Sequence, residues 1–525
     1  MLYLAIILVI VIYFKGFENT SNIFNTIQWL EKSYRSSLNV KTQDESEKPE
    51  FIILLPMLRE QRTIKATVHY FAQLKYPLNK YKIIVVTTEK ENREKEEQRY
   101  KLTQLATSIY KKENKIFILE KFAGLFNLSK LENLYDELSD LTNITQIENK
   151  LVQEYNKYPT THQLALQYKN EINEKLGINL VEVLHFPNSY GKMSDQLNFA
   201  INKLEGSGES FVAIFNADSR PDPETLNLVN YQINQYGKQY KCKVNIIQQS
   251  SIYTLNIENF KNNFRGAFLR AAAIYQTYWS LAFEIPRFRK QSVSAILARS
   301  TNKKIEKLAL TKLSHCVGHG LFIRLKMLRQ NKLPTETVNE DLPFGFLQSY
   351  MHEPIFPLCL LENSESPETI HSHFNQKKVW FWSYLEYVKV AKSIYSKIEN
   401  PDKLRLVWLT FQGVARGLVW LSQSLVFIIP LIIFLIISPI WSLVWVLGIM
   451  LYWVVPSLLI HYKLPLLHQL SGTNKKDTDP VSLVSQLIMG LLVVLTNSLG
   501  PVMTIIQYLK VTHFNTPLIK YKTER

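Results

Sequence analysis

Three long apolar stretches near the C-terminus restrict the fold of this chain most strongly. They cover residues 418–437, 439–460 and 481–509. Each is long enough to cross about 30 Å of hydrocarbon as a helix. Because a buried helix of a soluble protein is rarely apolar on all sides, these stretches predict membrane-inserted helices. The third is interrupted by Asn497 and a Gly-Pro pair, so it either crosses fully or re-enters. The preceding residues 386–417 mix aromatic side chains with Lys and Arg, which predicts a helix lying on the membrane surface.

A shorter apolar run occupies residues 2–14 and is followed by Lys15. It lacks the charged start and the small-residue cleavage site of a removable signal peptide. We therefore predict a retained anchor over residues 1–30, with the apolar core of a signal peptide as the alternative. Residues 31–50, which end in a polar stretch, are predicted to form a linker.

The charge of the chain predicts its orientation and its partners. Lys and Arg number 61 and Asp and Glu 45, a net charge of +16. Since basic segments stay in the cytosol, Lys15, Arg35, the basic middle of the chain, Lys475 and Lys476 are expected there. If all four apolar segments cross, the tail at 512–525 lies outside, against this rule. Either the last segment is broken or one further segment crosses.

Nucleic acid is the other partner that a basic chain suggests. The sequence has no Cys/His zinc spacing and no aromatic signature of RNA binding, so this class is disfavoured. The three cysteines, Cys242, Cys316 and Cys359, are widely separated. Their spacing argues against a disulfide framework and fits a reducing cytosol.

The segment between the apolar ends has the pattern of an α/β domain. Short apolar runs predict strands at 51–55, 82–86, 116–119, 181–185, 211–216 and 244–249. A helical pattern at 60–75 separates the first two, and such alternation predicts parallel strands with right-handed crossovers. Residues 124–178 are rich in Leu, Asn, Glu and Lys and predict two or three inserted amphipathic helices. A helical decoration is the simpler interpretation, and recognition of an acceptor or partner is the alternative.

The run at 211–223 is an apolar strand that ends in Asn216, Asp218 and Asp222. In α/β proteins the carboxyl ends of the strands form the edge that binds ligands. Closely spaced oxygen ligands suit Mg²⁺ or Mn²⁺, and such an ion suits a diphosphate. A turn rich in Asp and Pro is the simpler alternative.

Short motifs follow one another in a fixed order, each at a predicted strand end or helix start. They lie at 54–60, 85–91, 191–198, 216–218, 318–324, 339–343 and 376–380. This order resembles the family 2 glycosyltransferases, specifically their membrane-embedded branch. The resemblance covers about residues 50–385 together with the C-terminal apolar segments.

The resemblance implies a GT-A fold over residues 51–385: an α/β domain with a Rossmann-related mixed sheet and flanking helices, followed by transmembrane helices at 418–511. It implies an inverting enzyme that moves a hexose or an N-acetylhexosamine from a nucleotide-diphosphate sugar donor. The implied acceptor is a polyprenyl-linked glycan or a growing polysaccharide at the cytosolic face of the cell membrane. Polysaccharide assembly proteins are implied partners, and nucleic acid is not. The alternative is a catalytically inactive scaffold in an assembly complex.

The resemblance also implies a set of donor-binding residues in the first half of the domain. They are Pro56, Arg59, Glu60, Glu89, Lys192 and Asn198. The first three would form the floor of the nucleotide pocket. Glu89 would contact the base or ribose, and Lys192 the base or diphosphate. The alternatives are a solvated helix start for Glu89 and a surface lysine for Lys192.

Asp218 matches the second carboxylate of the family's Asp-x-Asp motif, which coordinates the divalent ion between the donor phosphates. Asn216 stands at the first position and would accept from a ribose hydroxyl or hold a metal-bound water. Asp341 matches the catalytic base of the Glu-Asp motif, with Glu340 in support, and a helix cap is the alternative for Asp341. His319 lies between two glycines, where it would contact a phosphate or have a structural role.

Gln376 and Trp380 match the outer letters of the family's Gln-x-x-Arg-Trp motif. Gln376 would bind the donor or acceptor, and Trp380 would stack on the acceptor sugar. Val379 replaces the family's arginine. We therefore expect Lys377 or Lys378 to supply the positive charge near the diphosphate.

Overall fold

The computed structural model describes residues 2–38, 48–122, 125–126, 128–472 and 483–514. Residues 39–47 of the predicted linker, Lys475, Lys476 and nearly all of the predicted tail lie outside these residues. The chain divides into two compact units. Unit 1 comprises the described parts of Met1–Ile53, Gln73–Tyr81 and Glu205–Arg525. Unit 2 comprises the described parts of Leu54–Ala72 and Lys82–Leu204.

The elements are numbered in chain order. The strands are β1 Phe51–Pro56, β2 Tyr81–Thr88, β3 Val181–Phe186, β4 Phe211–Ile214, β5 Arg220–Pro221, β6 Ile246–Ile252, β7 Leu321–Arg324 and β8 Ile355–Asn363. The helices are α1 Leu2–Leu38, α2 Ile64–Phe71, α3 Lys90–Tyr110, α4 Lys115–Lys121, α5 Leu128–Leu138, α6 Ile144–Asn156, α7 Thr161–Leu176, α8 Met193–Lys203, α9 Thr225–Tyr240, α10 Phe264–Trp279, α11 Ile285–Ser300, α12 Lys304–Leu310, α13 Leu325–Gln330, α14 Asp341–Tyr350, α15 Ile370–Leu385, α16 Tyr387–Lys397, α17 Lys403–Ile437, α18 Pro439–Gln469, α19 Leu483–Leu495 and α20 Leu499–Phe514.

Unit 1 contains a mixed sheet in the order β1–β4–β7–β6–β8–β5, in which only the first half of β1 belongs to the unit. Strand β7 pairs antiparallel with both β4 and β6, whereas β6 and β8 pair parallel. Strands β4, β6, β7 and β8 are buried along their whole length. Such burial explains why they read as continuous apolar runs, since both faces of the sheet are covered by other elements. The predicted mixed α/β sheet is confirmed.

Unit 2 has the strand order β3–β2–β1, and β2 pairs parallel with β3 from Ile83–Val181 to Thr88–Phe186. Its helices α3 to α6 enclose a separate apolar cluster that includes Leu105, Ile118 and Leu134. The predicted amphipathic helices of the insertion are present as α5, α6 and α7. Residues 123, 124 and 127, at the predicted start of the insertion, lie outside the described residues.

The predicted strand at 116–119 is wrong, because these residues belong to helix α4. Ile118 and Phe122, four residues apart, are both buried in the apolar cluster of unit 2. Side chains at this spacing lie on one face of a helix. A run of four apolar residues does not distinguish a strand from a buried helical turn, and tertiary packing decided the outcome.

Four helical segments of the described chain are long and apolar enough to cross a membrane. They are Ile6–Ser37, Lys403–Ile437, Pro439–Gln469 and Val484–Thr512. The first runs past the predicted end of the anchor at residue 30, and α17 passes through the predicted boundary at 417 without a break. The fourth segment contains a turn at 496–498, between α19 and α20. The predicted break near Asn497 is therefore a real interruption of the helix.

Tryptophans hold these helices together. Trp445 and Trp453 on α18 are fully buried, and the Trp445 indole N–H donates to the Phe427 carbonyl on α17 at 2.9 Å. The phenol of Tyr13 on α1 donates to the carbonyl of Val444 at 3.0 Å. Outward side chains such as Ile436 stay exposed. An apolar exterior around a packed interior is the pattern expected of helices in a bilayer. As the spacing of the cysteines predicted, all three are free thiols.

Candidate active site

Strand β4 ends in a tight turn that carries the first candidate residues. The backbone N–H of Asn216 donates to the Ser219 hydroxyl at 3.1 Å, and the N–H of Ser219 donates back to the Asn216 carbonyl at 3.1 Å. This turn holds Asp218 in the interior of unit 1, with 7% of its surface exposed. Asp222 differs, because its carboxylate accepts the N–H of Glu224 at 2.7 Å at the start of α9. Asp222 thus has a local structural partner.

The loop 318–320, which we call the glycine loop, leads into β7. Gly320 has a φ of +61°, and a Cβ atom there would lie 2.8 Å from Gln249 Cβ, so the backbone passes closer than a side chain allows. His319, between the two glycines, is buried, and its Nδ1 lies 3.2 Å from Glu362 Oε2. Burial opposes protonation of His319, but Glu362, Glu284 and Asp218 outweigh it and raise its pKa to about 9. His319 is therefore a cation among carboxylates at neutral pH.

Asp341 and Glu340 lie next to the first glycine of the glycine loop. A Cβ atom added to Gly318 would be 3.5 Å from Asp341 Oδ2 and 3.7 Å from Glu340 Oε1. Asp341 is the first residue of α14, as the sequence predicted, and its Oδ1 accepts the N–H of Leu342 at 2.7 Å. The helix dipole favours the ionised carboxylate at this position. Asp341 and Glu340 thus lie beside the loop that carries His319, and the charge of Asp218 acts on that histidine.

Helix α15 positions the motif at 376–380. The Nδ2 of Asn339 donates to the carbonyl of Val379 at 2.9 Å, which ties this motif to the segment that carries Asp341. Gln376 accepts from Gln276 at 2.8 Å through Oε1. Trp380 keeps 38% of its surface exposed, an unusual fraction for a tryptophan beside a packed core. Lys378 is half-buried, and burial lowers its pKa.

The two lysines proposed as substitutes for the missing arginine have different environments. Lys377 is 3% exposed, and its Nζ donates to Asn497 Oδ1 at 2.7 Å, in the turn between α19 and α20. Burial lowers its pKa to about 7. Lys377 therefore contacts the membrane-helix segment, and Lys378 is the better candidate for a charge near the diphosphate.

In unit 2, the residues after β1 are held by local hydrogen bonds. Pro56 ends the strand, and Arg59 has a φ of +56° with its N–H donating to Glu91 at 3.1 Å. The N–H of Glu60 donates to the Thr161 hydroxyl at 2.9 Å. These hydrogen bonds hold the loop that we predicted to form the floor of the nucleotide pocket. Both partners, Glu91 and Thr161, belong to unit 2.

Glu89, at the end of β2, is paired with histidines that the sequence analysis missed. His185 Nε2 lies 2.8 Å from Glu89 Oε2, and the Thr87 hydroxyl lies 3.0 Å from His185 Nδ1 and 2.9 Å from His162 Nδ1. The hydrogen bond from His185 lowers the pKa of Glu89. Burial and the neighbouring His185 lower the pKa of His162. No sequence spacing marks this group, because three separate elements contribute to it.

Two further predicted residues lie at the start of α8 and on α8 itself. Lys192 is the residue that precedes the helix, and its backbone N–H donates to Asp195 Oδ2 at 2.8 Å. Lys192 is exposed, whereas Asn198 on α8 is half-buried. Both therefore remain predictions for donor binding.

The carboxylates of unit 1 suit a substrate-bridging metal ion better than a preformed protein cage. Among the described residues, no group of three or more His, Cys, Asp or Glu side chains has the arrangement of a metal site. Mg²⁺ and Mn²⁺ in phosphate sites take only one or two protein carboxylates, and substrate phosphates and water supply the rest. The buried Asp218, next to the neutral oxygen ligand Asn216, fits that type of coordination.

Glu362 is a further site residue that the sequence analysis missed. It is fully buried at the end of β8 and pairs with His319. A charged residue that ends a long apolar run was the available signal, since a buried carboxylate requires a partner.

Comparison with known proteins gives a family match. Residues 211–457 match the model of the family described as "Glycosyl transferase family group 2". No curated protein matches the chain. A mannosyltransferase from Pyrobaculum calidifontis, in complex with GDP-Man and Mn²⁺, is 12% identical, with 92% of this chain and 99% of that chain covered and a TM-score of 0.34. S. aureus TarS 1–349 in complex with UDP-GlcNAc is 14% identical, with coverages of 86% and 92% and a TM-score of 0.33. Similarity at this level does not determine a donor or an acceptor for this chain.

Proposed function

We propose that the chain is a family 2 glycosyltransferase, the family that residues 211–457 match, and that it moves a sugar, with inversion, from a nucleotide-diphosphate donor to a lipid-linked or growing polysaccharide acceptor. One observation carries the proposal. Asp341 lies beside Gly318 of the glycine loop, the charge of Asp218 acts on His319 of the same loop, and both aspartates lie in the matched residues 211–457. A metal-binding carboxylate and a catalytic base are two groups with which a protein can promote inverting transfer.

Asp341 acts as the base in this proposal. The acceptor hydroxyl attacks the anomeric carbon opposite the leaving group, so a new carbon–oxygen bond forms while the bond to the diphosphate oxygen breaks. The hydroxyl proton passes to Asp341, and the electron pair leaves with the nucleoside diphosphate. The start of α14 favours the ionised base. Glu340, on the same side of the glycine loop, supports the base or the bound acceptor.

Asp218 would hold a divalent ion, Mg²⁺ or Mn²⁺, at the donor diphosphate. When bound there, the ion would neutralise the negative charge of the departing group. Asn216 accepts from a ribose hydroxyl or from a metal-bound water. His319, whose pKa the charge of Asp218 helps to raise, adds positive charge at the glycine loop.

The remaining predicted residues bind substrate. Trp380 offers an exposed aromatic face to an acceptor sugar, Gln376 hydrogen-bonds the donor or acceptor, and Lys378 faces the diphosphate. The donor-binding residues proposed in unit 2 are Pro56, Arg59, Glu60, Glu89, Lys192 and Asn198. We propose that they contact the nucleotide.

We place the enzyme in the cell membrane as a multi-pass protein with its catalytic domain in the cytosol. Four segments are long and apolar enough to span the bilayer, and Lys15 and the basic middle of the chain favour the cytosolic side. Polysaccharide assembly proteins are the proposed protein partners.

A screen of nucleotide sugars tests the proposal with purified protein in nanodiscs. We expect Mn²⁺-dependent hydrolysis of one UDP- or GDP-sugar, and a loss of about a hundredfold in Asp218→Asn. Asp222→Asn is the matched control, because Asp222 lies on the same segment but contacts the start of α9. Intact nucleotide binding without turnover for any donor would contradict the enzyme and favour the inactive scaffold. The absence of an arginine at Val379 makes this the second candidate.

A further inference from the structure

A large cavity lies in unit 1 among the candidate membrane helices. Its volume is about 1440 Å³. One end is apolar and is lined by Leu8 and Ile12 of α1, Val426 and Phe427 of α17, and Trp445 of α18. These helices are among the four that are long enough to span a bilayer, so this end of the cavity lies where lipid chains would be. The volume exceeds that of typical small-ligand pockets, which is appropriate for a long chain.

The other end of the cavity carries two arginines. Arg287 follows a π-helical turn at Ser280–Glu284, a local irregularity that often marks functional sites. Its Nε and Nη2 atoms are buried and have no hydrogen-bond partner among the described residues. Arg416 on α17 donates from Nη2 to the Leu313 carbonyl at 3.0 Å, while its buried Nη1 has no partner in the described part of the chain. Three guanidinium nitrogen atoms, two on Arg287 and one on Arg416, can therefore donate hydrogen bonds to a ligand.

The electrostatics at this end favour an anion. Burial lowers the pKa of Arg287, and the neighbouring charge of Arg416 lowers it further. Burial and the same two arginines hold the pKa of His315 well below its ordinary value, so His315 stays neutral. Glu284 is the nearby carboxylate that acts against the positive charge. Two like charges whose buried donor atoms have no partner in the described part of the chain are costly unless a ligand neutralises them.

The arginine end of the cavity is also close to the proposed catalytic base. Tyr384 lines the cavity, and the charges of Arg287, Arg416 and Asp341 all act on its hydroxyl. Cys316, two residues before the glycine loop, is likewise affected by both Asp341 and Arg287. A ligand whose anionic group binds the two arginines would therefore place the adjoining part of the molecule near Asp341.

We propose that this cavity binds the acceptor as a phosphate-bearing polyprenyl lipid, with the phosphate on Arg287 and Arg416 and the chain between α1, α17 and α18. The inference rests on the proposed function, because only a glycosyltransferase needs an acceptor at Asp341. It adds the chemical class of that acceptor and the two residues that recognise it. Arginine suits the role, since its planar donors bind phosphate oxygens in pairs.

Binding of farnesyl phosphate to the full chain in nanodiscs tests the proposal. We expect saturable binding, weakened about tenfold or more by Arg287→Gln and by Arg416→Gln. Arg265→Gln, at an exposed position at the start of α10, removes the same charge outside the cavity and should leave binding unchanged. Arg287→Lys should restore part of the affinity, and the unfolding midpoint of each variant identifies any loss caused by misfolding.

Three results would overturn the proposal. Equal binding of farnesol would mean that the cavity recognises only the apolar chain. Equal binding of inorganic diphosphate would assign the arginines to a free phosphate, such as that of the donor. Unchanged farnesyl phosphate binding in both glutamine variants, with the fold intact, would remove the arginines from the site.

Donor hydrolysis, measured in parallel, separates this proposal from the proposed function. Hydrolysis of the nucleotide sugar by the wild-type protein reports on the proposed function, whereas arginine-dependent binding of farnesyl phosphate reports on the lipid site. If the wild-type protein binds farnesyl phosphate in an arginine-dependent way but hydrolyses no donor, the proposed enzyme activity fails and the lipid site stands.

Discussion

In each unit one candidate-site residue belongs to a histidine–carboxylate pair, and these two pairs have opposite environments. In unit 1, His319 and Glu362 are 3.2 Å apart, and their side chains are 11% and 0% exposed. In unit 2, His185 and Glu89 are 2.8 Å apart, and their side chains are 26% and 42% exposed. The shorter pair is the more exposed one, so solvent screens it and its net contribution is small. Burial, not distance, indicates which pair the protein depends on.

The buried pair also belongs to a larger arrangement. The charge of Asp218 helps to raise the pKa of His319. The glycine loop, which carries His319, lies next to Asp341. The exposed pair is connected to Thr87, His162 and Asn92, which all belong to unit 2. We therefore expect changes around the glycine loop to affect both stability and transfer, and changes around Glu89 to have small effects on stability.

The largest expected effect is on catalysis at the glycine loop. Asp341→Asn should reduce sugar transfer about a thousandfold, because an amide cannot accept the acceptor proton, while nucleotide affinity stays nearly constant. Transfer of labelled sugar and nucleotide binding are measured on the same preparation.

Asp402→Asn is the matched control for this change. Asp402 precedes α17 and accepts the N–H of Arg405 at 3.1 Å, so it is also an aspartate at a helix start. Asparagine caps a helix as well as aspartate does, so this variant should keep full activity. Equal activity in the two variants would assign Asp341 to a cap and not to a base.

The next effect compares the two ion pairs directly. Glu362→Gln should lower the free energy of unfolding by about 3 kcal/mol, because it leaves His319 in a buried site without its charged partner. Glu89→Gln should lower it by less than about 1 kcal/mol, since that pair is partly solvated. Denaturant unfolding in detergent measures both. Similar losses in the two variants would contradict the ranking by burial.

The pH dependence of stability should arise from the buried histidine. The pKa of His319 is raised from 6.5 to about 9, so its stabilisation is fully present below about pH 6.5 and is lost as the pH rises through about 9. Without divalent ions, we expect the wild type to lose about 2 kcal/mol relative to His319→Asn over this window. A difference between the two proteins that is constant with pH would show that His319 is not charged in the folded state.

The smallest effect compares two glycines with left-handed backbones. Gly320→Ala should destabilise by about 2 kcal/mol, because it adds a contact at 2.8 Å from Gln249 to the backbone strain. Gly177→Ala, at the end of α7, should cost about 1 kcal/mol, since nothing lies within 4 Å of the added atom. Thermal unfolding checks both. A larger loss of stability in Gly177→Ala than in Gly320→Ala would contradict the close packing of the glycine loop.

The sequence predicted those parts of the structure that depend on local pattern. The apolar run of β4 followed by Asp218, the start of α14 at Asp341 and the long apolar helices follow from burial, capping and composition. The run at 116–119 failed, because four apolar residues fit either a strand or a helical turn.

The rest of the candidate site depends on contacts between distant segments. Glu362 reaches His319, and Arg287 lies near Arg416, only after the chain has folded. Lys377 and Lys378 are adjacent lysines, and the sequence does not distinguish their roles. The folded chain does, because the Nζ of Lys377 donates to Asn497. No spacing in the sequence encodes these pairings.

The position of the bound metal ion tests the central claim most directly. An experimental structure with Mn²⁺ and a nucleoside diphosphate would locate the ion by its anomalous scattering. We predict a single ion at about 2.1 Å from an Asp218 oxygen, with phosphate oxygens completing its coordination. An ion bound away from Asp218, or a diphosphate bound away from the glycine loop, would contradict the account.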